Sequence, residues 1–346
     1  MKILFDIGHP AHVHLFKHLI RLLKNDNNEV FVTAREKDIT LQLLEEEKIP
    51  FKLLGRNHPG LLGKLKNLFE YDYLLYKYSK TVKPDVFISH SSIYAAHSAF
   101  FLRKKSITLE DTGNADQSLF YRPFTNWILT PQCLNKKYGR KQLKYNGFHE
   151  LAYLHPDYFK PDISILDELN IKHGEKYCIV RFVSRNASHD IGIKGLNLSQ
   201  KLRVVDELSK YSKVLITSED TLPDELKPFQ LKIAYSKIHH VIAFADLVFG
   251  ESATMSSEAA MLGVPAVFLD KQGRHYTDFQ QQKYNLVFNF VRKNYDIHKA
   301  LLCAKDLLTG DNTQSEFKMR SKQLIEDHID VTKFLYDFIK LKLNHQ

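Results

Sequence analysis

The chain has 346 residues, of which 44% are hydrophobic and 26% charged, and its formal net charge is +9. That length holds two domains of ordinary size, and the composition excludes a disordered or fibrous protein; no apolar run approaches the ~18 residues of a membrane span. The positive balance points to an acidic partner, such as a phosphorylated substrate, anionic lipid or nucleic acid, or else only to a lysine-rich soluble surface. Nucleic acid has charge alone in its favour, with no zinc-finger, RNP-type or basic heptad pattern, and is not expected as a partner. Cys133, Cys178 and Cys303 lie far apart without CxxC spacing, so free thiols are expected rather than disulfides or a zinc site. The opening MKILFDIG has a strand pattern and no cleavage signal, which gives the expectation of a cytoplasmic protein.

In chain order, Lys2 to Ile7 reads as a buried strand, Gly8-His9-Pro10-Ala11-His12 as a turn, and Val13 to Leu23 as an amphipathic helix. Strands at Glu29–Thr33 and Phe51–Leu54 bracket a helix at Thr40–Glu47, a βαβ rhythm that implies a parallel sheet covered on both faces. A longer helical segment, Pro59 to Lys80, mixes Leu68, Phe69, Tyr73 and Tyr76 with Lys64, Lys66, Lys77 and Lys80. It reads either as an interfacial helix against an anionic membrane or as a core helix with solvated lysines. Strands follow at Pro84–Ser89, Ile107–Asp111, Trp127–Thr130 and Leu143–Tyr145. His9, His12, His90, Glu110 and Asp111 then fall at the carboxyl ends of strands, where ligands of open α/β sheets gather.

A Pro-, Tyr- and His-rich stretch near residues 150 to 165 marks the domain boundary, and Tyr177–Val183 opens a second βα series. It continues with the loop Ser184–Gly195, a helix at Ser199–Tyr211, strands at Val214–Thr217 and Ile233–Ala234, and a helix at Ile238–Phe244. Beyond residue 269 a helix is expected from about Thr277, then helices at Ile297–Leu308 and Ser315–Leu343.

The most informative stretch is Asp246 to Leu269, DLVFGESATMSSEAAMLGVPAVFL. It reads as a strand, a glycine turn, a short helix from Ser252 and a second strand. Hydroxyls at Ser252, Thr254, Ser256 and Ser257 crowd the first turns, where free N–H groups and the helix dipole favour a phosphate; a plain serine cap is the other reading. Met255, Ala259 and Leu262 share a packing face, while Thr254 and Glu258 share one left for chemistry.

The element order, with GESATMSSEAAMLGVPAV, FDIGHPAHVH, SHDIG and YTDFQQQKYNLV, resembles the GT-B superfamily, two Rossmann-like domains with parallel sheets facing across a cleft. Within it the chain resembles an uncharacterised prokaryotic family of glycosyltransferases related to UDP-N-acetylglucosamine 2-epimerase. The resemblance implies an acceptor domain over residues 1–158, a nucleotide-sugar donor domain over 159–325, and a C-terminal helix, 326–346, packing back on the first domain. It places the donor diphosphate at Ser252 and the N–H groups of Ala253 and Thr254, and the ribose hydroxyls at Glu258. The epimerases carry glycines where this chain has Ala253 and Thr254.

Arg181, with Arg185 nearby, is the expected counter-charge for a leaving UDP, or else a surface ion pair; His189 is a loop histidine of the same region. Gln280 and Gln281 fall where GT-B enzymes touch sugar hydroxyls, beside Tyr276, Asp278 and Gln282. Gly8 leaves backbone room for phosphates or acceptor, and His12, Glu110 or Asp111 is the expected catalytic base, with an N-cap as the plain reading of Asp111. His14 and His18 stand four apart without the HExxH glutamate, and no Asp-x-Asp pair follows a strand, so no metal is expected. The expected activity is metal-independent transfer of a sugar from a UDP-sugar, as co-substrate and without a cofactor, to a cell-surface glycan or lipid-linked acceptor. Peripheral contact with the anionic inner face of the plasma membrane accompanies it. The rivals are a UDP-N-acetylhexosamine 2-epimerase, and a non-enzymatic nucleotide or nucleic-acid binding protein.

Overall fold

The computed structural model describes residues 1–55, 60–113, 115–172, 174–183, 195–218, 221–291 and 296–343. The chain divides into two compact units, Met1–Tyr153 with His328–Gln346, and Leu154–Asp327. Arg185, His189 and Asp190 lie outside the described residues.

The first unit runs β1 (Lys2–Ile7), α1 (Pro10–Asn25), β2 (Glu29–Ala34), α2 (Thr40–Glu46), β3 (Lys52–Leu53), α3 (Gly60–Val82), β4 (Val86–His90), α4 (Ile93–Phe101), β5 (Lys105–Leu109), α5 (Ala115–Tyr121), β6 (Trp127–Pro131) and β7 (Gln142–Tyr145). Its seven-stranded sheet has the order β3-β2-β1-β4-β5-β6-β7, and every pairing is parallel. The strand order reverses between β1 and β4, so loops after these strands diverge and leave the crevice in which α/β proteins hold ligands. Helices cover both faces, which is why the central strands are buried almost along their whole length rather than on alternate residues. Leu4 and Phe87 of the sheet pack with Tyr71 and Leu75 of α3 and Ala95 and Ala99 of α4.

After α6 (Leu151–Leu154), the second unit comprises α7 (Ile165–Glu168), β8 (Tyr177–Phe182), α8 (Leu198–Leu208), β9 (Lys213–Ser218), α9 (Ile238–Ala243), β10 (Leu247–Gly250), α10 (Ala253–Met261), β11 (Ala266–Asp270), α11 (His275–Tyr284), β12 (Val287–Val291), α12 (Ile297–Thr309) and α13 (Thr313–Glu326). Its five-stranded parallel sheet has the order β12-β11-β10-β8-β9. Val180, Phe249, Val267 and Leu269 of the sheet pack against Val205 of α8 and Ala300 of α12.

Several expected elements are corrected. No strand forms at Ile233–Ala234: the chain bridges Ile216 only at Gln230, and a 3-10 turn at Tyr235–Lys237 leads directly into α9. Helix α11 begins at His275, two residues before Thr277, because Arg274 is already extended as its N-cap. The single C-terminal helix is two, α13 and α14 (Val331–Leu343), and α14 belongs to the first unit. There it lies along α1, with Lys340 Nζ 2.9 Å from Asp26 Oδ2 and Phe338 edge-on to Trp127. Among the described residues no helix is long and apolar enough to cross a membrane.

Helix α1 carries a pH dependence. Burial, with Lys17 and Arg21 beside it, lowers the His18 pKa to about 4, against the weaker pull of Glu47. The unfolded chain takes up this proton near pH 6.5 and the folded chain only near 4, so stability is full above pH 6.5 and falls as pH drops through that window. The midpoint of thermal unfolding is expected to fall between about pH 7 and pH 5, and His18→Gln to flatten that fall. A His18→Gln protein with the wild-type pH dependence contradicts this assignment.

Candidate active site

In the first unit, chemistry-bearing side chains collect beyond the carboxyl ends of β1, β4, β5 and β7. Asp111 is their centre. Its Oδ1 lies 3.0 Å from His90 Nε2 and its Oδ2 lies 3.0 Å from His149 Nδ1, so one carboxylate is held between two imidazoles. Burial pushes the Asp111 pKa up, but His149 and His90 outweigh it and hold the carboxyl well below its ordinary value. Burial likewise pulls His90 down, yet the hydrogen bond and charge of Asp111, with the charge of Glu110, leave its pKa raised. The pair therefore favours carboxylate and imidazolium. With Nδ1 against Asp111, His149 Nε2 is buried and has no hydrogen-bond partner among the described residues. The three groups also stand close enough to share a divalent ion, but their two hydrogen bonds account for that spacing.

His12 stacks on this group, its ring centroid 4.5 Å from that of His90 and 5.7 Å from that of His9. Burial, followed by the charges of His90, His9, Lys37 and Arg35, holds its pKa well below the ordinary value. His12 is thus neutral, and its Nδ1 accepts the Gly8 N–H at 3.4 Å. His9, one turn earlier, caps α1 by accepting the Ala11 N–H.

Glu110, 1% exposed, is fully engaged. Its Oε1 accepts from Thr112 N, Thr112 Oγ1 and Gly113 N at 2.8, 2.6 and 3.0 Å, and its Oε2 from Ser91 Oγ and Tyr121 OH at 2.7 Å each. These bonds fix the loops after β4 and β5 and thereby aim Asp111. Gly8 has a local reason of its own: a Cβ there would stand 2.1 Å from Arg35 Nη2, and Arg35 is ion-paired at 2.8 Å with the buried Asp6. Ser92 donates to that same Asp6.

In the second unit, β10 ends at Gly250 and Ser252 is the extended N-cap of α10, its Oγ accepting the Met255 N–H at 3.3 Å. The cap is therefore real, and the N–H groups of Ala253 and Thr254 come before Ser256, whose N–H is the first to bond to a carbonyl of the helix start, so they have no acceptor within the helix. Ser256 Oγ turns back to the Ser252 carbonyl, and Ser257 Oγ accepts from Gln280 Nε2 at 2.7 Å, so these two hydroxyls serve packing. Gly263 closes α10 at φ 68°, while Lys318 donates to the Leu262 carbonyl.

The four expected donor residues Glu258, Gln280, Gln281 and Arg181 are buried to different degrees. Glu258 is 6% exposed and its Oε1 lies 3.0 Å from His239 Nε2, so its face is not open. Gln280 is wholly buried in the packing of α11 on α10, and Gln281 accepts the Asn289 N–H of β12. Arg181 sits half-buried on β8 with its carbonyl receiving the Glu251 N–H. The carboxylate of Glu251, buried beside the helix start and accepting Leu196 N–H, was not anticipated. Neither was His149, which no motif announces; its signal is only a histidine four residues beyond the last strand of its sheet.

A sequence model of one family, described as "Protein of unknown function (DUF354)", matches residues 1–334. An uncharacterized protein, MJ0665 of Methanocaldococcus jannaschii, is 24% identical over 285 residues, covering 77% of this chain and 81% of that one. Among solved structures, UDP-GlcNAc 2-epimerase from Neisseria meningitidis bound to UDP-GlcNAc superposes with a TM-score of 0.66 at 14% identity, covering 94% of this chain and 99% of that one. The spinosyn forosaminyltransferase SpnP gives 0.67 at 11% identity, covering 99% of each chain. Glycosyltransferase VinC in complex with dTDP gives 0.62 at 10%, covering 98% and 99%. The fold is GT-B, shared with glycosyltransferases and UDP-GlcNAc 2-epimerases.

Proposed function

The chain belongs to the DUF354 family, and from that premise and its GT-B fold we propose that it is a metal-independent glycosyltransferase using a UDP-sugar. The acceptor in this reading is a cell-surface glycan or a lipid-linked sugar. The observation that carries it is the start of α10: two first-turn N–H groups without an acceptor in the helix, at its positive end and at the carboxyl end of the central strand of the second sheet. Nucleotides on structural relatives, UDP-GlcNAc and dTDP, support a nucleotide donor. The diphosphate then rests on Ala253 and Thr254, with Arg181 as counter-charge to the leaving UDP. Glu258 reaches a ribose only by exchanging its contact with His239. Gln280 and Gln281 act from behind, holding α11 against α10 and β12.

For the acceptor proton, the geometry favours the Asp111 group through His149, whose Nε2 has no hydrogen-bond partner among the described residues while Asp111 holds its Nδ1, over Glu110, whose acceptor positions are filled; His12, kept neutral by burial, is the second candidate base. The 2-epimerase reading has the same donor site. It is separated by chemistry: UDP release that requires acceptor supports transfer, and a 2-epimer formed without acceptor sinks it.

Donor binding is tested by thermal unfolding with UDP, GDP and dTDP. UDP is expected to raise the midpoint, corresponding to about 2.7 kcal/mol at a hundredfold excess over Kd. Thr254→Glu places a carboxylate where the phosphates go. It is expected to leave the free protein as stable as before, since an acid suits a helix start, and to weaken UDP at least about tenfold. Equal UDP stabilisation of the variant rules out this placement.

A further inference from the structure

Six large apolar side chains stand exposed on three helices of the first unit: Phe69 and Tyr73 on α3, Phe100 and Phe101 on α4, Leu119 and Phe120 on α5, each between 52% and 68% accessible. Phe100 and Phe101 are in ring contact, with centroids 5.7 Å apart. Phe69, Tyr73 and Phe101 line one shallow groove, whose floor includes Asp72 and His97. His97 Nδ1 pairs with Asp72 Oδ2 at 2.8 Å and its Nε2 meets the Phe120 carbonyl at 3.0 Å, which ties α3, α4 and α5 together at one residue. Phe100 lies edge-on to Phe124, and Phe124 edge-on to His97. A contiguous apolar surface of this kind marks an interaction face rather than scattered exposure.

The rim is cationic. Lys77, Lys80, Arg103 and Arg122 are exposed at the C-terminal ends of the same three helices, and the ammonium groups of Lys77 and Lys80 lie 5.9 and 5.8 Å from the Tyr73 and Tyr76 rings. Asp72, the acid that lines the groove, is already paired with His97.

We propose that this three-helix face is a docking surface for an anionic lipid bilayer. Aromatic rings suit the boundary between headgroups and acyl chains, and lysine and arginine stems reach back to lipid phosphates. A second copy fits poorly, because a two-fold contact would set the cationic rim against its own image. The purpose of docking, access to a lipid-linked acceptor, rests on the sugar-transfer reading; the binding itself does not.

The test is flotation of the full chain with vesicles of phosphatidylcholine alone or mixed with phosphatidylglycerol, at low and high salt and without nucleotide. Flotation is expected only with the anionic vesicles, and to weaken with salt. Phe69→Ser combined with Phe101→Ser, and separately Lys77→Glu combined with Lys80→Glu, are each expected to lower partitioning at least about tenfold. Because all four side chains are exposed, circular dichroism and the UDP-induced thermal shift are expected to match the wild type. Wild-type protein that ignores anionic vesicles overturns the proposal, as do variants that float like wild type. So does a dimer in sedimentation that Phe101→Ser dissociates while vesicles are ignored. UDP stabilisation without flotation leaves the donor reading standing and removes only the docking face; flotation without UDP stabilisation does the reverse.

Discussion

Asp111→Asn is expected to slow sugar transfer roughly 10²–10⁴-fold, the usual worth of a positioned acid–base group, while UDP still stabilises the protein. The asparagine keeps the size of the side chain but removes the charge that both His90 and His149 face at 3.0 Å. His90 then loses the hydrogen bond and charge of Asp111, the largest of the interactions that raise its pKa against burial, so the imidazole gives up its proton at lower pH. The pH profile of the residual activity is therefore expected to move, a readout that a merely structural role would leave in place. Some stability is lost as well, about 1–3 kcal/mol, because an amide cannot satisfy two ring N–H donors. Transfer within about twofold of wild type, by stopped assays of UDP release with acceptor, removes Asp111 from the mechanism. Glu110→Gln is the control: it loosens the loops through Ser91, Thr112 and Tyr121, and is expected to lower stability more than it changes the pH profile.

The largest stability effect is expected at Gly250. Its φ is 149°, and a Cβ there would stand 2.2 Å from the Arg181 carbonyl oxygen and 2.9 Å from that residue's backbone carbon and nitrogen. None of these atoms is the end of a flexible side chain; they belong to β8, which pairs with β10 in the interior of the five-stranded sheet. Gly250→Ala must separate two central strands or twist the start of α10, and a loss of at least about 3 kcal/mol is expected from the urea midpoint. Gly174→Ala separates the causes, since Gly174 has φ 81° but nothing within 4 Å of its would-be Cβ. It is expected to cost about 1 kcal/mol, the price of the backbone conformation alone. Similar losses at both sites would show that strand contact is not what Gly250 protects. Gly8 is intermediate, because its Cβ would meet the guanidinium of Arg35, which can move, though only by disturbing the Asp6 pair.

Much of the architecture was legible because buried parallel strands leave an unmistakable trace. KILFDI, VFISH and LVFG are short apolar runs closed by turn residues, and each forms the strand expected of it. Elements with a mixed pattern were missed. Helix α4 is apolar on nearly all sides, so it has no helical stripe, and α5 is only seven residues long. Strand β12 was hidden by the glutamine-rich helix before it; its one signal was Asn285, which ends α11 in the left-handed conformation. The break between α13 and α14 does not show in the helical pattern of Ser315–Leu343, because each half keeps its own amphipathic pattern; a separate last helix over 326–346 was implied only by the family resemblance.

By itself the sequence determined the two parallel α/β sheets, the glycine turn into α10 and the serine cap that starts it. The strands, the turn and the cap follow from interactions between residues near each other in the chain, and the parallel sheets from the βα alternation of those elements. What only the tertiary structure decided is which polar groups meet. Asp111 and His149 are far apart in sequence and come together because β5 and β7 end at the same edge of one sheet. Glu258, open on a helical projection, is closed off by His239, and Gln280, placed at the sugar by resemblance, is held by Ser257. Helical spacing places a side chain on a face, but the neighbour across that face comes from a distant segment, and it alone settles whether a carboxylate is available or already paired.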